Sequence, residues 1–267
     1  MSAAPSKELV HTRIWQEEAE PDNPFATRVA RCHGYDVYGD MLGKASWIEM
    51  LYLLFRGERP SAQQVALLET LAVALANPGP RAPMVHAAMC GGVAGSTAAA
   101  SLMAALAVGA GQNGGAREVW LAMQAWEACG TDLALWHGHL SRPPQSGVDI
   151  WPEMAHPAGF APHGEQATLP VLQLLAHLAR HAPELAWLQQ QRIALEAAAG
   201  LPMGMLLPVA ATLHVLGFTA EQGEMLVLLL RLPGAAVHAL EQWRYGFKRF
   251  PFFPVELTDD PAGKVSA

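Results

Sequence analysis

Apolar residues recur through most of this chain at three- and four-residue spacing. That period lays one face of an α-helix against a core. Ser46 followed by Glu49 predicts a capping box, a helix over Trp47–Arg56 and a stop at Gly57. Ser61 with Gln64 repeats the device, and that helix ends at Asn77-Pro78. Thr219 with Gln222 opens a third, which ends near Leu232-Pro233; a fourth starts around Gly234 and stops at Gly246. Further periodic segments cover 118–140, 169–180, 184–199 and 204–216. No stretch alternates apolar and polar residues between turn signals, so no strand is predicted. Residues 141–170 hold Pro143, Pro144, Pro152, Pro157, Pro162 and Pro170. Ordered loops of that length usually carry function. The first 24 residues read as a loosely held arm, and so does the tail from Thr258.

Composition changes this picture at one point. Charged residues are 15% of the chain, against about a quarter in an ordinary soluble domain. Residues 82–116 contain no Asp, Glu, Lys or Arg at all. Length alone allows a membrane span there, but the run is mostly Ala and Gly with scattered polar residues and no aromatic belt. A segment apolar all round and buried between subunits is the better account. A net charge of −7 without any basic cluster argues against nucleic acid. Cys32, Cys90 and Cys129 are too few and too widely spaced for a disulfide framework or a metal knuckle, which fits a reducing cytoplasm. Met1 to Trp15 show no secretion signal.

Four motifs, in order and at suitable spacing, carry a resemblance. Residues 28–60 run from a Gly34-Tyr35-Asp36 turn through Ser46, Glu49 and Tyr52-Leu53-Leu54 to Gly57 and Pro60. Gly114-Gly115-Ala116 follows a long Ala-rich segment. Gly159-Phe160-Ala161-Pro162-His163 forms a loop signature. Leu216-Gly217 leads to Arg231, Gly234, His238 and Glu241. The series resembles citrate synthase and citryl-CoA lyase proteins. That resemblance implies an all-α, citrate synthase-like fold: after the 1–24 arm, a large helical domain of 25–115 and 214–267, with a small helical domain of 116–213 inserted between its two pieces. It also implies a homodimer whose subunits share residues across the active sites. The uncharged run would then be interface helix.

Joining or splitting a C–C bond beside a thioester needs a carboxylate base, a neutral donor to the thioester oxygen, an acid, and arginines that grip carboxylates. By resemblance the thioester-binding His falls at Asn113, whose amide can still donate a neutral hydrogen bond. The loop His matches His163. The Arg expected soon after it is missing from 164–170, and the remaining substrate His falls near Asn77, with His86 nearby. The base Asp falls within 201–213, which has no ionisable side chain; His214 and Glu165 are replacements to consider. Arg231 matches a carboxylate-binding Arg. Arg249 matches the one donated across the dimer, with Arg244 and Lys248 as competitors.

Each residue also has a plainer role. His163 is then an exposed loop residue, Arg231 a helix-end Arg, and Asn113 a cap for the next helix. His137 and His139 form an HxH pair with no third ligand at a defined spacing, so no metal is predicted. His238 and Glu241 are one helical turn apart and read as structural. Cys90, Met203, Met205 and the tryptophans read as packing residues. The expected function is C–C bond chemistry on an acyl-CoA, oxo-acid or carboxylate substrate with altered catalytic residues. CoA enters as a thioester substrate, with no bound cofactor. The alternative is an inactive homologue that binds a metabolite or pairs with an active partner.

Overall fold

The computed structural model describes residues 10–141, 154, 156–251, 253–255 and 258. Helices dominate it, but the chain opens with a small antiparallel sheet. Strands β1 (Trp15–Glu20), β2 (Asn23–Cys32) and β3 (Tyr35–Asp36) pair in that order. The strand-free expectation and the loose arm therefore fail over 15–36. The reason is that β1 and β2 are largely exposed on both faces, so they never needed apolar alternation. Their pairing rests on backbone bonds and on Glu18, which meets Arg28 and Arg31 across the strands. His33 (φ 47°) and Gly34 (φ 87°) both take left-handed backbone between the paired Cys32 and Tyr35, the geometry of a tight hairpin.

The described residues fall into two compact units. The first comprises the described parts of 1–77 and 109–231. Its helices are α1 (Trp47–Arg56), α2 (Ala62–Leu75), α5 (Ala116–Cys129), α6 (Leu133–Ser141), α7 (Leu169–Leu178), α8 (Pro183–Ala199) and α9 (Leu206–Val215). Both predicted capping boxes form, at Ser46/Glu49 and Ser61/Gln64, and Gly57 ends α1 in the left-handed region. The periodic stretch 118–140 is two helices, broken at Gly130. Helix α5 packs along α9 and α6 along α8. Trp126 centres that packing, with Trp136 at 5.6 Å and Trp187 at 6.0 Å between ring centroids. Not every tryptophan is core, however: Trp47 and Trp243 are exposed.

The second unit comprises the described parts of 78–108 and 232–267. The uncharged run supplies its α3 (Pro83–Val93) and most of α4 (Ala98–Gly109), split by a turn at 94–97. At 11 and 12 residues, neither is long enough to span a bilayer. The buried core is small: Met84, Val85, Ala88, Met89, Ala105, Ala235 and Ala239. Cys90 faces out rather than packing.

Helix α10 (Ala220–Tyr245) corrects the prediction of two helices meeting at Pro233, because it runs straight through that residue. Pro233 sits on the exposed side, where water can serve the carbonyl left without an N–H partner. Among the described helices α10 is long and apolar enough to cross a membrane, a property shared by core helices of soluble proteins.

Candidate functional site

The resemblance directs attention to the start of α5. Before it, Gly114 takes φ +72°, and a Cβ on Gly115 would lie 2.1 Å from the Gly111 carbonyl. Only glycine allows the chain to double back this tightly and then enter a helix. Gly115 is the N-cap and offers no side chain to the free N–H groups of the first turn. Glu118, in that first turn, reaches backward instead. Its Oε2 accepts from the Gly114 N–H at 2.6 Å, and its Oε1 accepts from the Gly159 N–H at 2.9 Å.

The second bond ties in the 157–161 loop. Gly159 (φ +87°) leaves no room for a Cβ, which would lie 2.7 Å from the Leu207 Cβ. The Gly204 N–H donates to the Gly159 carbonyl at 2.8 Å, and the Ala161 N–H donates to the Pro202 carbonyl at 2.9 Å. The loop is thereby fixed on the residues leading into α9.

Arg231 of α10 enters from a third direction. Its Nη1 donates to the Gly114 carbonyl at 2.9 Å. The backbone of Gly114 is thus held through its N–H by a carboxylate and through its C=O by a guanidinium. Glu118, Arg231 and His156 are 3%, 9% and 8% exposed. Polar groups so deeply buried need partners. Burial raises the Glu118 carboxyl above the ordinary carboxylate range, against the pull of the Gly159 and Gly114 N–H groups, His156 and Arg231. Burial also pulls the Arg231 guanidinium down, with Glu118 opposing. The Arg231 Nε is buried without a hydrogen-bond partner among the described residues.

The four predicted site residues divide unequally. Arg231 lies inside this network. Asn113 adjoins it through Gly114 and is exposed; it does not cap α5, since Gly115 holds that position. His163 is exposed four residues beyond Gly159. Arg249 belongs to the second unit, exposed, its guanidinium 5.6 Å from the Tyr245 ring centroid. Of the alternatives, Glu165 and Asn77 are exposed, His214 is half-buried in the last turn of α9, and His86 lies 5.5 Å from Phe250 in the second unit. His238 and Glu241 form the expected pair, 3.5 Å apart. Among the described residues no three His, Cys, Asp or Glu side chains gather as a metal would require.

Sequence reasoning passed over Glu118 and His156. Glu118 carried a signal, an acid in the first turn of a helix whose cap is glycine. His156 carried none, because its burial depends on how the Pro-rich stretch is laid down.

These helices, with the Gly114 and Gly159 loops set on α9 and α10, define a citrate synthase-type fold. In particular, the chain matches citryl-CoA lyase from Hydrogenobacter thermophilus with a TM-score of 0.70 at 16% identity, covering 96% of this chain and 99% of that one. ATP citrate lyase from Methanothrix soehngenii, in complex with citrate and coenzyme A, matches with a TM-score of 0.68 at 15% identity; 95% of this chain is covered, but only 42% of that one. Citrate synthase from Thermoplasma acidophilum, in a ternary complex with carboxymethyl coenzyme A and oxaloacetate, gives a TM-score of 0.57 at 14% identity, covering 82% of this chain and 60% of that one. No protein-family model matches the chain, and no curated protein matches it by sequence.

Proposed function

We propose that this protein binds a carboxylate-bearing CoA thioester, or the oxo-acid half of one, and makes or breaks a C–C bond in it. The observation that carries the reading is Arg231. A buried guanidinium with one edge held by the Gly114 carbonyl and its Nε unpartnered is suited to a planar carboxylate. Fold likeness to proteins solved with citrate, oxaloacetate and coenzyme A supports the substrate class by analogy. In this reading Asn113 donates its amide to the thioester oxygen, where enolate charge grows. His163 acts on the oxo-acid carbonyl. Arg249 supplies a second carboxylate contact, given across a homodimer. CoA is part of the substrate, no further cofactor is used, and the protein works in the cytoplasm.

Calorimetry on the full chain tests this directly, with oxaloacetate, citrate and acetyl-CoA as titrants. Wild type should bind at least one. Arg231→Ala should abolish carboxylate binding, and Arg231→Lys should weaken it because an ammonium cannot form the bidentate fork. Unchanged affinity in both variants would sink the reading.

One observation favours a second reading, binding without turnover. The stretch 201–213, where the resemblance places the base, holds no ionisable side chain, and its α9 part is buried and apolar from Leu206 to Leu213 apart from Thr212, whose hydroxyl donates to the Pro208 carbonyl. Loss of a general base typically costs 10²–10⁴-fold in rate. Tight citrate binding with no turnover of citryl-CoA, or of acetyl-CoA with oxaloacetate, would establish this alternative.

A further inference from the structure

Glu118 invites a role beyond neutralising a buried cation. Its two carboxylate oxygens do different things. Oε2 serves the loop that carries Asn113, and Oε1 serves the loop that leads to His163, 41 residues away in sequence. An ordinary capping acid such as Glu49 serves its own helix end alone. Here the carboxylate bridges two loops, each already shaped by a left-handed glycine and each bound elsewhere, to Arg231 on one side and to Pro202 and Gly204 on the other.

We infer that Glu118 is a positioning residue that locks the Asn113 loop and the His163 loop into one body, so that the two open and close together. This rests on the functional reading above only in supposing that both loops serve one ligand; the locking itself stands on the geometry. Both oxygens must accept for the lock to hold. Glutamine keeps the size but offers one acceptor and one donor, so its NH₂ end would face an N–H. Aspartate is a methylene shorter and can serve one loop at a time.

Amide hydrogen exchange followed by mass spectrometry decides the matter without any ligand. In Glu118→Gln, exchange should rise in 110–116 and 157–163 together, by about ten- to a hundredfold, as expected for loss of a buried bond to a charged group. Val119→Ala is the matched control. Val119 is fully buried on the same turn and bonds neither loop. It should loosen α5 without singling out 157–163. Should only 110–116 respond in Glu118→Gln, Glu118 is merely a helix cap and the inference falls. The same fate follows if Val119→Ala opens 157–163 equally. A calorimetric arm then ties the lock to binding: oxaloacetate affinity should fall about tenfold in Glu118→Gln and hold in Val119→Ala. If wild type binds neither oxaloacetate, citrate nor acetyl-CoA, the functional reading fails, while the exchange result still decides the lock.

Discussion

Two neighbouring helices of the first unit have gone opposite ways. The start of α5 keeps buried charge: Glu118 is enclosed, and so is Arg231 opposite it, with the intervening Gly114 peptide bonded at both ends. Helix α9 packs against α5 and keeps none, its buried residues from Leu206 to Leu213 including no ionisable group. Buried ions are costly to hold, and apolar residues of similar volume often replace them at no loss. Helix α9 is thus held by apolar packing alone, whereas the start of α5 depends on a paired and hydrogen-bonded set of polar groups.

The harshest way to break the comparison is to place a carboxylate in α9. Ala210 is fully buried, so Ala210→Asp should cost about 5 kcal/mol or more, visible as loss of cooperative unfolding. A well-folded Asp variant would mean that α9 has a prepared place for the acid. Next in size is Arg231→Ala. It strands Glu118 without its counter-charge and leaves the Gly114 carbonyl unserved, at about 3 kcal/mol in denaturant unfolding. A loss under about 1 kcal/mol would mean the guanidinium is dispensable to the fold.

A smaller effect is the pH dependence of the Glu118 contribution. Its folded pKa is raised, chiefly by burial, so the native state holds the Glu118 proton more tightly than the unfolded chain does. That stabilising contribution is complete below the ordinary carboxylate pKa and is lost as pH rises through the raised one. His156 and Arg231 also face this group, so the cleanest measure is the difference between wild type and Glu118→Gln in melting temperature across the weakly acidic range. The difference should shift against wild type as pH rises; a flat difference would refute the shift. Smallest of all, Asn113→Ala and His163→Ala should change stability by no more than about 0.5 kcal/mol, since both residues are exposed. If either also alters ligand binding, it does so by touching the ligand.

Much of the fold was legible because its signals are local. Ser46 with Glu49 and Ser61 with Gln64 cap helices within a few residues of themselves, and Gly57 ends one for steric reasons that need no distant partner. The sheet was not legible, because β1 and β2 cover little core and so show no period of two. Pro233 misled, because its effect depends on whether water reaches the freed carbonyl, a matter of tertiary placement. At the site, Arg231 could be anticipated from its apolar neighbours. Glu118 could be anticipated only as a first-turn acid; its bond to Gly159 could not, since periodicity cannot connect the two. The 142–153 part of the Pro-rich stretch, and most of the tail from Thr258, lie outside the described residues.

The bond from Gly159 to Glu118 also acts as a noncovalent staple on the chain between them. It closes a loop of 41 residues, and the entropy of closing a flexible loop grows only with the logarithm of its length. Doubling the free part of such a loop costs about 0.6 kcal/mol. The chain between Glu118 and Gly159 can therefore vary in length at little cost while its two bonded ends stay in place. The staple separates the tempo at which that stretch can change from the tempo at which the site can.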